Sequence, residues 1–307
     1  MDEDILKSFE SYLLNEKGRS PLTAKNYLVS VSLFQRYLMG QSLTKVILDN
    51  IRGLILVLQT GTDGSGKNKH SASSVQAIVS AIKTFYDFAT DKKFIATNPI
   101  TSKINLPSPK RKESAFLDPE ELSKFIKFVD KLKGRNSIRD CAIIHLLAQA
   151  GLRLREVVSL NKNSINFKTR EVKFIGKGGH EAILNLHSEI TDAIKKWFDI
   201  HPVADPSYAL FVTNTSRFKI RRISPSNIQH IVKVLINRCG ITKNIHPHSL
   251  RHSYGTWLAS NPNNEPVVIQ GLMRHSSLAT TTKYLHLGEK RAKTVIDSMP
   301  PLGEEKK

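Results

Sequence analysis

The sequence contains little cysteine and no long apolar run. Its two cysteines, Cys141 and Cys239, each fall within an apolar helical pattern, so reduced core thiols are expected rather than a disulfide scaffold. No stretch approaches the ~18 apolar residues that a membrane span requires. The opening residues, MDEDILKSFE, are acidic and lack a basic-then-apolar signal pattern. A cytoplasmic protein without a membrane partner is therefore predicted.

Acidic residues are also scarce relative to basic ones. The chain carries 46 Lys and Arg against 27 Asp and Glu, which gives a net charge of +19. A protein this basic usually binds a polyanion, with nucleic acid the first expectation and an acidic membrane surface the second. The excess is uneven, because residues 1–105 carry +4 and residues 115–307 carry +13. The second region should therefore hold phosphates most closely.

Two domains are predicted for a chain of 307 residues that is 40% hydrophobic. Residues 1–105 show helical periodicity, with Ser20 as N-cap and Pro21 at the first position of one helix. Its apolar face comprises Tyr27, Leu28, Val31, Phe34 and Leu38. Residues 106–114, LPSPKRKES, have the composition of a linker.

The second domain, 115–307, is predicted to be mostly helical with a small β-sheet. Asp118, Pro119 and Glu121 form a capping-box pattern at its first helix. Two alternating runs around Lys-Gly-Gly, in INFKTREVKFIGKGGHEAILNL, indicate a β-hairpin.

Two motifs resemble known sites but do not match them. GTDGSGKN at 61–68 is close to a phosphate-binding loop, yet its last position is Asn instead of Ser or Thr. His248 and His252 have the spacing of paired zinc ligands, but no third ligand is suggested and Arg251 would repel a cation. A loop between helices and a site without metal are the preferred interpretations.

A dispersed set of polar residues is more informative than either motif. Each member has an ordinary explanation by itself, as a surface ion pair, a turn lysine or an interface tyrosine. In chain order the set is Arg153, Lys177, His248, Arg251, His275 and Tyr284.

Together these residue types supply what breaking a phosphodiester without water or metal requires. A tyrosine hydroxyl can act as the nucleophile if a base or cationic surroundings assist it, because its unperturbed pKa is near 10. Two arginines can neutralise the charge that develops on the phosphate oxygens. A lysine can protonate the leaving 5′ hydroxyl.

The sequence resembles a tyrosine recombinase of the phage-integrase family, and in size and layout its Xer-type members. The resemblance covers nearly the whole chain and rests on GLRLRE, GKG, HSLRH and TTKYLH in the order typical of the family. It implies a mainly α fold with a small antiparallel sheet. A helical core-binding domain and a mixed α/β catalytic domain would form a C-shaped clamp around DNA.

The resemblance also implies a role for each matching residue. Arg153 and Arg251 would clamp the scissile phosphate, and Lys177 would be the general acid. His248 would be the base and His275 would hydrogen-bond the phosphate. Tyr284 would form a 3′-phosphotyrosyl link, with Glu156 as a buried support. His252 and His286 would pack or orient, His246 would be a loop residue, and Ser253–Ala259 would form the supporting helix.

One position departs from the family pattern. Arg274 stands where the family usually has Gly before the third motif's histidine, which adds a cation beside the phosphate or a DNA contact. Other basic residues are predicted to follow the DNA backbone, with a solvated charged face as the alternative. They are Lys110, Arg111, Lys112, Arg217, Lys219, Arg221 and Arg222.

The implied reaction is site-specific recombination of double-stranded DNA through a Holliday junction, with no cofactor, ATP or metal. A homotetramer would assemble on two recombination sites near the nucleoid, with a paralogous recombinase or an accessory protein as an optional partner. Xer-type dimer resolution is favoured over a phage or transposon integrase or an invertase. A type IB topoisomerase, a catalytically inactive DNA-binding protein and a zinc-dependent nuclease are the remaining alternatives.

Overall fold

The computed structural model describes residues 2–61, 69–100, 104–108, 115–176, 179–214, 220–261 and 264–274. The chain divides into two compact units, Met1–Lys112 and Glu113–Lys307. Most of the predicted linker lies outside the described residues. Within the described ranges, every helix is too short or too polar to cross a membrane.

The first unit is helical throughout its described part. Its helices are α1 (Asp2–Ser11), α2 (Pro21–Tyr37), α3 (Leu48–Thr60) and α4 (Ala72–Asp91), with a π-helical turn at Tyr12–Glu16 and a 3-10 turn at Leu43–Lys45. Ser20 caps α2 by accepting a hydrogen bond from the Thr23 backbone N–H at 3.2 Å, and Pro21 is the first helical residue. Both features were predicted from the sequence.

An aromatic cluster from α1, α2 and α4 fills the core of this unit. Phe9 meets Phe85 edge to face, with ring centroids 5.3 Å apart, and Phe34 is fully buried. The Tyr86 hydroxyl donates to the Leu43 carbonyl at 3.0 Å, which satisfies the polar end of a buried ring. The predicted apolar face of α2 packs into this core.

The second unit combines seven helices and two small antiparallel sheets in its described part. The helices are α5 (Pro119–Asp130), α6 (Arg135–Ala148), α7 (Leu154–Ser159), α8 (Ser188–Asp199), α9 (Pro225–Arg238), α10 (Pro247–Ser260) and α11 (Pro266–Met273). The strands are β1 (Ile165–Asn166), β2 (Glu171–Ile175), β3 (Glu181–Asn185), β4 (Val212–Asn214) and β5 (Ile220–Arg222). The predicted hairpin is β2–β3, which pairs from Glu171 with Asn185 to Ile175 with Glu181. The chain is thus mainly α with small antiparallel sheets.

Helix α6 forms the centre of the second unit. The run from Ala142 to Ala148 is almost completely excluded from solvent on every side. A helix that is buried all round needs neighbours on all faces, and α5, α8, α9 and α10 supply them. The two elements that follow α6, the turn at Gly151 and helix α7, are therefore attached directly to the buried core of the unit.

The capping box at α5 was predicted from the sequence and is present. Asp118 Oδ1 accepts from the Glu121 N–H at 2.9 Å, and Glu121 Oε2 accepts from the Asp118 N–H at 3.0 Å. We predict that Asp118→Ala lowers the free energy of unfolding by about 1 kcal/mol, because the Glu121 N–H loses its acceptor.

Equilibrium denaturation in urea measures the loss caused by this substitution. Asp118→Asn is the matched control, because Asn is an equally good N-cap and should remain close to the unsubstituted protein. Equal stabilities of the Ala and Asn variants would show that the cap contributes nothing.

Candidate active site

Helix α7 presents Arg153 at its N-terminus and Glu156 in its first turn. The buried Glu156 carboxylate accepts from the Arg153 backbone N–H at 2.7 Å and from Arg153 Nη1 at 2.8 Å. Arg153 Nη2 donates to the Arg274 carbonyl at 3.1 Å. The side chain of Arg153 nevertheless remains 37% exposed. One carboxylate therefore caps the helix and orients a guanidinium that solvent can still reach.

Arg251 lies on α10 and is almost completely buried. Its Nη1 donates to the Gly151 carbonyl and its Nη2 to the Met273 carbonyl. Gly151 has φ of +61°, and a Cβ at this position would lie 2.6 Å from Tyr254 Cδ1. Only glycine fits both constraints, so this residue is required for the carbonyl to face Arg251.

Arg274 contributes a third guanidinium to the same place. Its Nη2 lies 3.0 Å from Glu156 Oε2 and 3.4 Å from the Gly151 carbonyl oxygen. The guanidinium lies over the Phe174 ring of β2, 4.7 Å from its centroid. Its Nε and Nη1 are buried and make no hydrogen bond to the part of the chain that the structure describes. Burial lowers the pKa of Arg274, and Glu156 opposes that shift.

The three arginines are linked through shared acceptors. Glu156 is common to Arg153 and Arg274, and the Gly151 carbonyl is common to Arg251 and Arg274. The cluster thus contains three permanent positive charges and one carboxylate, which is a charge excess of two. Such a concentration of buried and half-buried guanidinium groups is suited to a dianionic or strongly polarised oxyanion ligand.

His248 lies in the first turn of α10, three residues before Arg251. Its side chain is solvent-accessible, yet its pKa is lowered, first by partial burial and then by the nearby Arg251. The imidazole is therefore neutral near pH 7 and can accept a proton. Its neighbour His252 is instead packed flat on Phe116, with ring centroids 5.0 Å apart.

His246 was predicted to be a loop residue, and it lies in extended backbone directly before α10. It is the N-cap of α10, and its Nδ1 accepts from the Ser249 backbone N–H at 3.1 Å. The helix consequently begins at Pro247, earlier than the predicted Ser253. This geometry matters because it places His248 and Arg251 on one rigid helix.

The remaining predicted residues either belong to strand β5 or lie outside the described residues. Arg221 is exposed on β5, and Arg222 donates to the carbonyls of Val158 at 2.7 Å and Leu160 at 2.9 Å. Arg222 thus joins β5 to the end of α7. Other predicted residues lie outside the described residues, and they are Lys110, Arg111, Lys112, Lys177, Arg217, Lys219, His275, Tyr284 and His286.

The backbone and aromatic partners of these side chains were not predicted from the sequence. The carbonyls of Gly151 and Met273 hold Arg251, and Phe174 supports Arg274. A glycine directly before the LRLRE run was visible in the sequence. Nothing local indicated that its carbonyl meets an arginine 100 residues later.

Models of known protein families match both units of the chain. A model described as "Phage integrase family" matches residues 115–291, and one described as "Phage integrase, N-terminal SAM-like domain" matches residues 6–93. Tyrosine recombinase XerC of Vibrio cholerae serotype O1 is 31% identical over 304 residues, covering 98% of this chain and 94% of the relative. Tyrosine recombinase XerC of Haemophilus influenzae is 30% identical, covering 98% of this chain and 99% of the relative.

Solved structures share the fold at lower identity. XerH site-specific recombinase bound to palindromic difH substrate aligns with a TM-score of 0.69 at 20% identity, covering 95% of this chain and 84% of that one. A lambda integrase dimer bound to a COC' core site aligns with a TM-score of 0.67 at 15% identity, covering 92% and 94%. Because the phage integrase model matches more than half of the sequence and relatives named XerC align with nearly all of it, the chain belongs to the phage integrase family and is a Xer-like tyrosine recombinase.

Proposed function

We propose that the chain recombines double-stranded DNA at specific sites, by cutting and rejoining strands through a 3′-phosphotyrosyl intermediate on Tyr284. Exchange of strands between two duplexes would pass through a Holliday junction. The best supported biological role is Xer-type dimer resolution, since the relatives that align with nearly the whole chain are named XerC. A phage or transposon integrase, or an invertase, is the alternative role.

The observation that carries this proposal is the cluster of three guanidiniums that are linked through the Glu156 carboxylate and the Gly151 carbonyl. A phosphodiester bears one negative charge, and the pentacovalent transition state concentrates more charge on the non-bridging oxygens. Arg251 and Arg274 lie where solvent screens them little, so each donor acts more strongly than it would in water. The charge excess of two therefore matches a phosphoryl group better in its transition state than in its ground state.

The assigned steps use each side chain for one task. Arg153 and Arg251 hold the phosphate, and neutral His248 assists removal of the Tyr284 proton. The phenolate oxygen forms a bond to phosphorus as the bond to the 5′ oxygen breaks. Lys177 gives a proton to that oxygen, and His275 hydrogen-bonds the phosphate. The roles of Lys177, His275 and Tyr284 rest on the sequence motifs alone.

Arg274 is assigned a place beside the phosphate. Its Nη2 is already engaged by Glu156, whereas Nε and Nη1 are two buried donors without a partner in the described ranges. Buried donors of this type cost free energy unless an acceptor arrives. A non-bridging phosphate oxygen would be that acceptor.

The surrounding surface would follow the DNA backbone. We assign this contact to Lys110, Arg111, Lys112, Arg217, Lys219 and the exposed Arg221. Arg222 would act less directly, because its guanidinium is bonded to carbonyls of the α7 end. The first unit would form the core-binding domain and the second the catalytic domain, on either side of the residue 106–114 linker.

The proposed assembly is a homotetramer on two DNA sites, optionally with a paralogous recombinase or accessory protein, in the cytoplasm near the nucleoid. The residues after Tyr284 would dock on a neighbouring subunit.

A type IB topoisomerase would share the cleavage chemistry but act as a monomer, and an inactive DNA-binding protein would leave no adduct. The adduct experiment below separates the inactive protein from an enzyme.

We predict that Tyr284→Phe binds target DNA with unchanged affinity but forms no covalent adduct on a nicked suicide substrate. The reason is that phenylalanine lacks the oxygen that attacks phosphorus. Denaturing gel electrophoresis measures the adduct. Tyr208→Phe is the matched control, since its hydroxyl donates to the Ile220 carbonyl, and it should retain adduct formation. An adduct that persisted in Tyr284→Phe would refute the assigned nucleophile.

We predict that the rate of adduct formation decreases at acidic pH, and that protonation of His248 causes this acidic limb. Its pKa is below the ordinary 6.5, so the neutral base form is present at pH 7. The rate should fall as the pH decreases through that lowered pKa and the imidazole becomes protonated. His248→Ala should lose about 10²–10⁴-fold in rate and also lose this limb.

His246→Ala is the control for the histidine experiment. It removes the N-cap of α10, which affects stability, and it moves the limb to higher pH because His246 helps to lower the His248 pKa, but it does not abolish the limb because His248 is intact. Rapid-quench measurement of the single-turnover rate from pH 5 to 8 distinguishes the variants. The same limb in His248→Ala would assign the titration to another group.

We predict that Arg274→Gly lowers the single-turnover cleavage rate by on the order of 10²-fold at saturating DNA, as removal of a preorganised donor does. Arg274→Lys should be intermediate, because lysine keeps the charge but not the forked donors. Because Arg274 has φ of +49°, glycine should also relieve backbone strain of about 1 kcal/mol. Cleavage by Arg274→Gly at the unsubstituted rate would exclude a contact with the phosphate.

A further inference from the structure

Three metal-ligating side chains meet on the side of α6 that faces α5. Cys141 and His145 lie four residues apart on α6, so they share one helix face. Asp130, the last residue of α5, lies opposite them. Its Oδ1 is 2.8 Å from His145 Nε2 and 3.4 Å from Cys141 Sγ. The three ligand atoms all lie within 4.8 Å of one another.

These separations suit a four-coordinate divalent cation. Zinc binds thiolate sulfur at ~2.3 Å and imidazole nitrogen or carboxylate oxygen at ~2.0–2.2 Å, so tetrahedral ligand atoms are about 3.3–3.7 Å apart. The sulfur–oxygen separation already has this value, and the nitrogen–oxygen separation needs about half an ångström more. Asp130 can provide it, because its side chain is 48% exposed and ends the helix.

The second ring nitrogen of His145 is held by Gln149. His145 is 2% exposed, and its Nδ1 lies 2.5 Å from Gln149 Oε1. Both ring nitrogens thus face oxygen atoms. A cation on Nε2 with the proton on Nδ1 satisfies both positions. A hydrogen bond from the other ring nitrogen to an oxygen is the usual support of a histidine ligand.

The cluster is accessible to ions from a cavity of about 1010 Å³ between α5, α6 and α8. Charged side chains of both signs line this cavity, including Glu189, Asp192 and Lys196. A cation bound here displaces the thiol proton of Cys141, as coordination to a thiol does generally.

We infer that Asp130, Cys141 and His145 form a binding site for a borderline-soft divalent cation of the Zn²⁺ class, with water as the fourth ligand. The ion joins α5 to α6, the helix at the centre of the catalytic unit. It is not assigned to strand cleavage, which uses Arg153, Arg251 and Tyr284. The proposed cation site and the proposed function are therefore tested independently of each other.

The test is a titration of the untagged, reduced full-length chain with Co²⁺, a spectroscopic substitute for Zn²⁺. One Co²⁺ per chain should bind with a thiolate-to-cobalt charge-transfer band in the near ultraviolet and visible bands of a tetrahedral ion, and Zn²⁺ should abolish both. Cys141→Ser should lose the charge-transfer band. Cys239→Ser, which removes the other thiol, should retain it.

Two further variants guard against loss of folding in the Cys141 variant. Asp130→Asn changes a half-exposed carboxylate and should weaken Co²⁺ binding at least tenfold, whereas Asp192→Asn in the same cavity should not. Gln149→Leu should weaken binding about 10–100-fold, as loss of an orienting partner does. Absence of stoichiometric Co²⁺ binding, or an unchanged spectrum in Cys141→Ser, would overturn the inference.

Discussion

The candidate active site depends on the contacts of the Glu156 carboxylate. This carboxylate is 5% exposed and receives donors from the Arg153 backbone, the Arg153 guanidinium and the Arg274 guanidinium. A buried carboxylate without partners would be costly, and loss of one partner of a buried pair destabilises by about 3–5 kcal/mol. The figure applies best to Arg274, since Arg153 is partly solvated. Glu156 thereby joins the start of α7 to the end of α11, two elements far apart in the sequence.

The position of Arg251 also depends on the backbone conformation of Gly151. The left-handed conformation of this residue turns the chain from α6 into α7 and leaves its carbonyl facing Arg251. Tyr254, one turn along α10 from Arg251, occupies the space that a side chain at Gly151 would need. Hence α6, α7 and α10 pack closely at Gly151, where any side chain would overlap the Tyr254 ring. This packing holds the guanidinium of Arg251 in place before any ligand binds, which is the preorganisation that the proposed function requires.

Local features of the fold were predictable from the sequence, and features that depend on tertiary contacts were not. The caps at Ser20 and Asp118 and the β2–β3 hairpin follow from interactions within a few residues. The capping role of His246 was not predicted because histidine is an unusual N-cap, and only its distance to the Ser249 N–H reveals the role. The pairing of Glu156 with Arg274 spans 118 residues, and that of Asp130 with His145 joins two helices. The type of each residue was visible, but its partner was set by packing.

Arg274 shows how a local conflict can persist in a stable fold. A left-handed backbone costs a residue with a side chain about 1–2 kcal/mol, and a third guanidinium adds repulsion to a cluster that already has two. Stacking on Phe174 and the bond to Glu156 offset these costs, but they leave two buried N–H groups unsatisfied within the described residues. Glycine would remove the strain, the repulsion and the unsatisfied donors together. Conflicts of this kind concentrate where binding a ligand resolves them, and a phosphate oxygen between the three arginines would resolve both the repulsion and the missing hydrogen bonds.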